Sequence, residues 1–259
     1  MRILAVLLLF GCVLTATAAG EGISPPRSDD SVFVNRSVLD NGFPVRAFSI
    51  ALPSVKQADA FFDFVENDLI PAGINTLVIR VNWAYDFESR PELADPDGWN
   101  RSLAERLSAL CREKGVTLVP LINLLGHQSW HGTAGRLLQV YPQFDEKPHV
   151  KLPENYVWPN PDRLYCKSYC PNHPEVHAVV FDCVDEVVEA FGATDFHAGL
   201  DEVFDLADPN CPRCGGLDPA EVFAGEVNRI AGHLRRKGVR LWMWADRLID
   251  GRRDASRYG

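Results

Sequence analysis

Apolar and polar positions along the chain repeat one pattern four times: an amphipathic helix, a glycine at its end, then a short apolar run. Residues 58–70 lead through Gly73 to a run at 76–80, and residues 103–114 lead through Gly115 to 116–122. Residues 176–191 lead through Gly192 to 195–199, and residues 220–237 lead through Gly238 to 239–244. A glycine just past a helix supplies a left-handed cap without a steric penalty. Unbroken apolar runs behind such caps predict parallel strands covered on both faces. Asp218-Pro219 and Asn172-His173-Pro174 read as helix starts, a capping side chain followed by proline. With residues 46–52 as an opening strand, the order is βαβαβαβαβ, a parallel sheet wrapped by helices.

Two architectures fit that order, a barrel or a doubly wound sheet. No glycine-rich phosphate loop follows any of the predicted strands, and the strand ends carry polar and aromatic residues. The expectation is therefore an α/β chain of the (β/α)8 TIM-barrel type. About five βα units are legible, three fewer than a closed barrel needs, so a barrel domain over residues 46–259 is expected to be incomplete at its C-terminus. Residues 123–172 form a long insertion rich in proline and aromatic residues, after the third strand; loops of this length in compact domains are usually functional.

Residues 1–19 have the layout of a secretory leader: Arg2, an apolar stretch to Leu14, and the small-residue signal Ala16-Thr17-Ala18. The apolar stretch is too short to span a bilayer, so no transmembrane segment is expected. The reading is an exported protein, secreted or periplasmic, with residues 20–45 as a lead-in. Leu9-Phe10-Gly11-Cys12 loosely resembles a lipoprotein box, but Phe10 fits it poorly and lipid anchoring is the weaker reading.

Composition narrows the partners. The 259 residues are 46% apolar, enough for one large core, and the formal charge is −9 at pH 7 without a dense Lys/Arg patch. That balance argues against nucleic acid and anionic membranes as partners. A neutral substrate or a polysaccharide fits better, and the chain holds six Trp whose flat faces suit sugar rings, although packing is the first reading of any single one.

The chemistry concentrates in Phe196-His-Ala-Gly-Leu-Asp201-Glu202-Val-Phe204, where two adjacent carboxylates follow an apolar, strand-like run. Carboxylates at the carboxyl end of a barrel strand sit where such folds keep their active sites. Neighbouring side chains on a regular strand point to opposite faces, so the strand must end or twist if both are to serve one pocket. Asp201 and Glu202 are the catalytic candidates, suited to general acid catalysis on a sugar or acyl substrate. Further candidates at strand ends are His127 after Gly126, His197, Trp83 and Tyr85 after the second strand, Trp244 at the end of the fifth and Asp246 just after it. Each has a plain packing or capping alternative.

Cys111 and Cys183 fall within predicted helices and read as small buried apolar residues. Cys166, Cys170, Cys211 and Cys214 lie in two loops. Cys211-Pro-Arg-Cys214-Gly-Gly resembles a zinc knuckle, so the four could meet as one tetrahedral metal site. Export favours disulfides instead. Structural zinc and disulfides stand level, and no cofactor is expected for catalysis.

His197-Ala-Gly-Leu-Asp201-Glu202 resembles the His-x-Gly-Gly-Asp-Glu signature of family 20 glycoside hydrolases, the β-N-acetylhexosaminidases, with Leu200 in place of the second glycine. Pro120-Leu-Ile-Asn-Leu-Leu-Gly126-His127 is similar to that family's Pro-Glu-Ile-Asp-x-Pro-Gly-His. The resemblance implies cleavage of terminal β-linked N-acetylhexosamine by substrate-assisted catalysis. It makes Glu202 the general acid and Asp201 the residue that holds the substrate's 2-acetamido group. Two other readings stay open: a conventional retaining glycosidase with Glu202 as acid/base, and a non-catalytic carbohydrate-binding barrel.

Overall fold

The computed structural model describes residues 42–162 and 164–248; the expected leader, residues 1–19, and the lead-in as far as residue 41 lie outside them. In the compact unit that begins at Ala47, five strands form one all-parallel sheet. They are β1 (Ala47–Ala51), β2 (Thr76–Arg80), β3 (Thr117–Leu124), β4 (Asp195–Gly199) and β5 (Arg240–Trp242). They follow each other in sequence order across the sheet, without the reversal that marks a doubly wound fold. That is the α/β order of a TIM barrel, carried here by five consecutive units.

The connecting helices are α1 (Ala58–Phe64, continued by a π-turn over Val65–Leu69), α2 (Arg101–Glu113), α3 (Arg136–Val140), α4 (Val176–Ala190) and α5 (Pro219–Arg236). Gly73, Gly115, Gly192 and Gly238, which close the four repeats, all have positive φ, as the repeating pattern requires. Asn100 caps α2 by accepting from the Leu103 amide, and Asp218 caps α5 by accepting from the Ala220 amide. The Asn172-His173-Pro174 signal does not open α4. The His173 amide is spent on a turn to the Cys170 carbonyl, 3.0 Å, and the helix begins three residues later at Val176.

Strand alternation divides the core into two layers. Leu77, Ile79, Leu118, Ile122, Phe196 and Ala198 face the helices and join Phe61, Leu107, Val180 and Ile230 in the main cluster. Val78, Val119 and Leu121 face inward, with Trp242 and Trp244 partly buried against them. Inward-facing side chains thus come from β2, β3 and β5 alike.

One irregularity shapes that rim. Leu121 pairs with His197 but Leu124 pairs with Gly199, so β3 carries one residue more than β4 between the two pairings. A bulge of this kind re-aims side chains beside a strand end. The loop after β2 is held down separately: the buried Glu186 carboxylate of α4 accepts from the amides of Glu88 and Ser89, both at 2.8 Å.

Candidate active site

β4 ends at Gly199, two residues before the dyad. Gly199, Leu200 and Glu202 then all take left-handed backbone, with φ of 68°, 66° and 49°. A β-carbon on Gly199 would lie 2.3 Å from Asn123 Oδ1 and 3.1 Å from Asn123 Cα, so the strand end presses on the bulged part of β3. Leu200 adopts its strained conformation while fully buried in the main core. Core packing thus fixes the turn, and the sharp turn swings Asp201 and Glu202 toward one centre instead of opposite faces.

That centre is His127. Its Nε2 lies 3.2 Å from Asp201 Oδ2 and 3.6 Å from Glu202 Oε2. The ring is delivered by the loop after β3, where Leu125 and His127 are also left-handed. Buried Gln128 clamps this loop by donating from Nε2 to the carbonyls of Asn123 and Gly126, at 2.9 and 2.8 Å. Burial opposes charge on the imidazole, but Asp201 and the Cys166 thiol beside it outweigh burial and push its pKa up to about 10. Nε2 makes no aligned hydrogen bond, so charge proximity carries the attraction to the dyad.

Asp201 Oδ1 is buried with no hydrogen-bond partner among the described residues. A buried, unpartnered carboxylate oxygen is costly, and it is an acceptor waiting for an external N–H or O–H. Glu202 is held from two sides. Tyr165 Oη donates to its Oε2 at 2.7 Å, and its own amide donates to Asp246 Oδ2 at 3.0 Å. Burial, followed by the Glu202 carboxylate, pushes the Tyr165 hydroxyl well above the ordinary tyrosine range, so it remains a donor.

Tyr165 was not singled out in the sequence, and neither were the rings around it. Trp158 and Phe204 pack edge-on against Tyr165 at 5.5 and 5.4 Å, and Tyr156 donates to the Tyr165 carbonyl. Trp130, His131 and Tyr156 stack in a row at 5.0 and 5.1 Å, with Trp130 62% exposed. Apart from Phe204, all these rings come from the 123–172 insertion. The density of aromatic residues there was the available signal; which rings would gather at Glu202 depends on how an irregular loop folds.

The other candidates divide. Asp246 joins the site as the acceptor for the Glu202 amide. His197 is 3% exposed, and its Nδ1 accepts from the Gly199 amide at 3.0 Å; burial lowers its pKa to about 4 and keeps it neutral. Trp244 packs on His197 with centroids 4.5 Å apart. These two support the strand end from inside. Trp83 and Tyr85 are not brought to the dyad. The chain turns away at left-handed Asn82, Trp83 packs on Phe87, and Tyr85 is buried against Phe87 and Phe191.

The cysteine set is also regrouped. Cys170, Cys211 and Cys214 come together, but Cys166 lies beside His127, and Glu146 takes the fourth place. The segment between Cys166 and Cys170 is not a tight turn: Lys167 and Tyr169 are held against residues 125–129. Four residues of extended chain span about 13 Å, too far for both sulfurs to reach one ion.

A site of two convergent carboxylates, one flanking imidazolium and an aromatic wall can deliver a proton to a leaving oxygen while holding a polar group of the same ligand. The strand order and the placement of this acidic site at the strand ends are those of an α/β-barrel protein. Glycosyl hydrolase family 20, catalytic domain, matches residues 84–257, and the chain belongs to that family. Among solved structures it is similar to a β-N-acetylhexosaminidase from Bacteroides fragilis, at 18% identity and a TM-score of 0.60, over 79% of this chain and 42% of that one. The Flavobacterium johnsoniae chitobiase gives 18% identity and a TM-score of 0.60, over 77% and 31%. The Streptomyces coelicolor β-N-acetylhexosaminidase gives 16% and 0.56, over 77% and 39%. The chain therefore spans less than half the length of these structures, and at such identities they establish the fold. No curated protein sequence matches the chain.

Proposed function

We propose that this chain carries the acid-bearing part of a glycoside hydrolase that removes terminal β-linked N-acetylhexosamine, with the substrate's own acetamido group as nucleophile. The observation that carries this reading is the unpartnered, buried Oδ1 of Asp201 beside a Glu202 clamped by Tyr165 and Asp246. Asp201 Oδ1 accepts the acetamido N–H and turns the acetamido oxygen toward the anomeric carbon. Glu202 gives its proton to the glycosidic oxygen as that bond breaks, leaving an oxazoline-type ring on the sugar. Glu202 then takes a proton from the water that opens the ring, so protein and proton count are restored. With the nucleophile on the substrate, no second carboxylate is needed at the usual retaining distance. His127 neutralises charge beside Asp201, and the exposed rings of the insertion supply apolar faces for sugar.

Among the described residues no helix is long and apolar enough to cross a membrane. Export through the 1–19 leader is proposed with the function, since polymeric amino sugars are met outside the cell.

The test is Glu202→Gln in the protein, assayed on aryl β-N-acetylglucosaminides with good and poor leaving groups. Loss of a general acid lowers kcat/KM on the poor leaving group by roughly 10²–10⁴ and spares kcat/KM on the good one, since kcat/KM stops at the first irreversible step and leaves out the later proton transfer from water. Equal losses on both, or none, would remove Glu202 from the acid's role.

A further inference from the structure

Glu146, Cys170, Cys211 and Cys214 present one carboxylate and three sulfurs, all within 4.8 Å of one another. Cys170 Sγ lies 3.3 Å from Cys214 Sγ and 3.6 Å from Cys211 Sγ, and Cys211 Sγ lies 3.2 Å from Glu146 Oε2. Sulfurs bound tetrahedrally to zinc at about 2.3 Å stand about 3.8 Å apart, close to these spacings, whereas a disulfide needs about 2.05 Å. The four residues come from three separate turns: Glu146 after α3, Cys170 before α4, and the Cys211/Cys214 pair between β4 and α5.

Glu146 is the telling member. It is fully buried, its Oε1 accepts from the Asp208 amide at 3.1 Å, and its Oε2 meets a thiol. Among the described residues no lysine, arginine or histidine pairs with it. The lysines nearby are taken: Lys147 pairs with Asp205 at 2.7 Å and Lys167 with Asp145 at 2.8 Å. A buried carboxylate without a counter-charge is a severe cost that a cation among the three sulfurs would remove. The knuckle is also built for close approach. The Gly215 amide donates to the Cys211 carbonyl, and a β-carbon on Gly215 would fall 2.7 Å from that oxygen and 2.8 Å from the Pro209 carbonyl. The Asn172 amide also donates to the Cys170 sulfur.

We infer that Cys170, Cys211, Cys214 and Glu146 bind one zinc ion with all four positions filled by protein. On binding, the three thiols release their protons to solvent and the carboxylate enters ionised. Thiolate-rich tetrahedral sets favour zinc among the common divalent ions, and a set without an open position is structural, not catalytic. The ion would tie the loop that begins at Asp201 to the insertion that supplies Tyr165, holding donor and acid together. This site does not depend on the glycosidase reading.

The experiment is metal analysis of the purified protein together with zinc-edge X-ray absorption. Expected are about one zinc per chain and a shell of three sulfurs at about 2.3 Å with one lighter atom. Cys211→Ser/Cys214→Ser should lose the metal and melt at a lower temperature. Cobalt added to metal-free wild type should show thiolate charge-transfer absorption. Absence of zinc both as purified and after reconstitution under reducing conditions would overturn the site. So would a disulfide among the three cysteines in non-reducing peptide maps, or full zinc content in the double variant. If that variant does not fold, the wild-type absorption shell decides.

Discussion

The Tyr165 hydroxyl donates a 2.7 Å hydrogen bond to Glu202, joining the long insertion after β3 to the acid at the end of β4. A hydrogen bond to a charged group contributes about 1.5–3 kcal/mol. Tyr165→Phe should therefore lower kcat/KM by roughly tenfold to a hundredfold, with the loss mainly in kcat. Steady-state kinetics on an aryl β-N-acetylglucosaminide measure it; a change confined to KM would mean the bond orients sugar and not the acid.

Gly199 is the hinge of the dyad turn. Gly199→Ala places a methyl 2.3 Å from Asn123 Oδ1 in a left-handed conformation that itself costs about 1–2 kcal/mol. Asn123 must shift, and with it the loop that carries His127. Expected are a stability loss above that range in chemical denaturation and near-complete loss of activity.

Stability should peak near neutrality because two histidines are shifted in opposite directions. His127, pushed up to about 10 in the fold, contributes stability that is fully present below its unfolded value of about 6.5 and is lost as pH rises toward 10. His197, lowered to about 4, binds its proton more readily unfolded, so its contribution is present above about 6.5 and is lost as pH falls toward 4. Melting temperature across pH 4–10 checks this. His127→Gln should flatten the alkaline limb alone, and His197→Gln the acid limb alone.

Glu226 of α5 is fully buried and bonded to Tyr169 Oη at 2.7 Å, His177 Nε2 at 2.8 Å and Arg229 Nη1 at 3.2 Å. Removing one member of a buried charged network costs about 3–5 kcal/mol. Glu226→Ala should show that loss in urea unfolding while leaving the Tyr165–Glu202 bond formed. A cavity of about 160 Å³ beside Glu226, lined partly by Asn172 and Arg229, includes no dyad residue, so effects there report on stability.

Much of the frame was legible because its causes are local. Helix-ending glycines need left-handed backbone, and apolar runs behind them bury both faces, so β2 and β4 have the expected limits and the other strands differ by one or two residues at an end. Adjacent acids after an apolar run located the dyad for the same reason. The rest depends on contacts distant in sequence. Nothing near Tyr165 announces that its hydroxyl will reach Glu202, and nothing near Glu146 announces three cysteines from other turns. Cys166 was misgrouped because spacing alone does not reveal that its segment runs extended. Trp83 and Tyr85 were expected at the rim because they follow a strand; left-handed Asn82 and the grip of Glu186 carry that loop over the helices instead.

The surplus residue between Leu121 and Leu124 sets the phase between two neighbouring rims. Deleting it would return β3 to step with β4 and rotate everything downstream by half a pleat, taking the imidazole off the acids while every core contact below stayed in place. Pocket geometry in this fold is thus adjustable by single-residue insertions at a strand's last turn, a route to altered ligand preference that leaves the framework untouched.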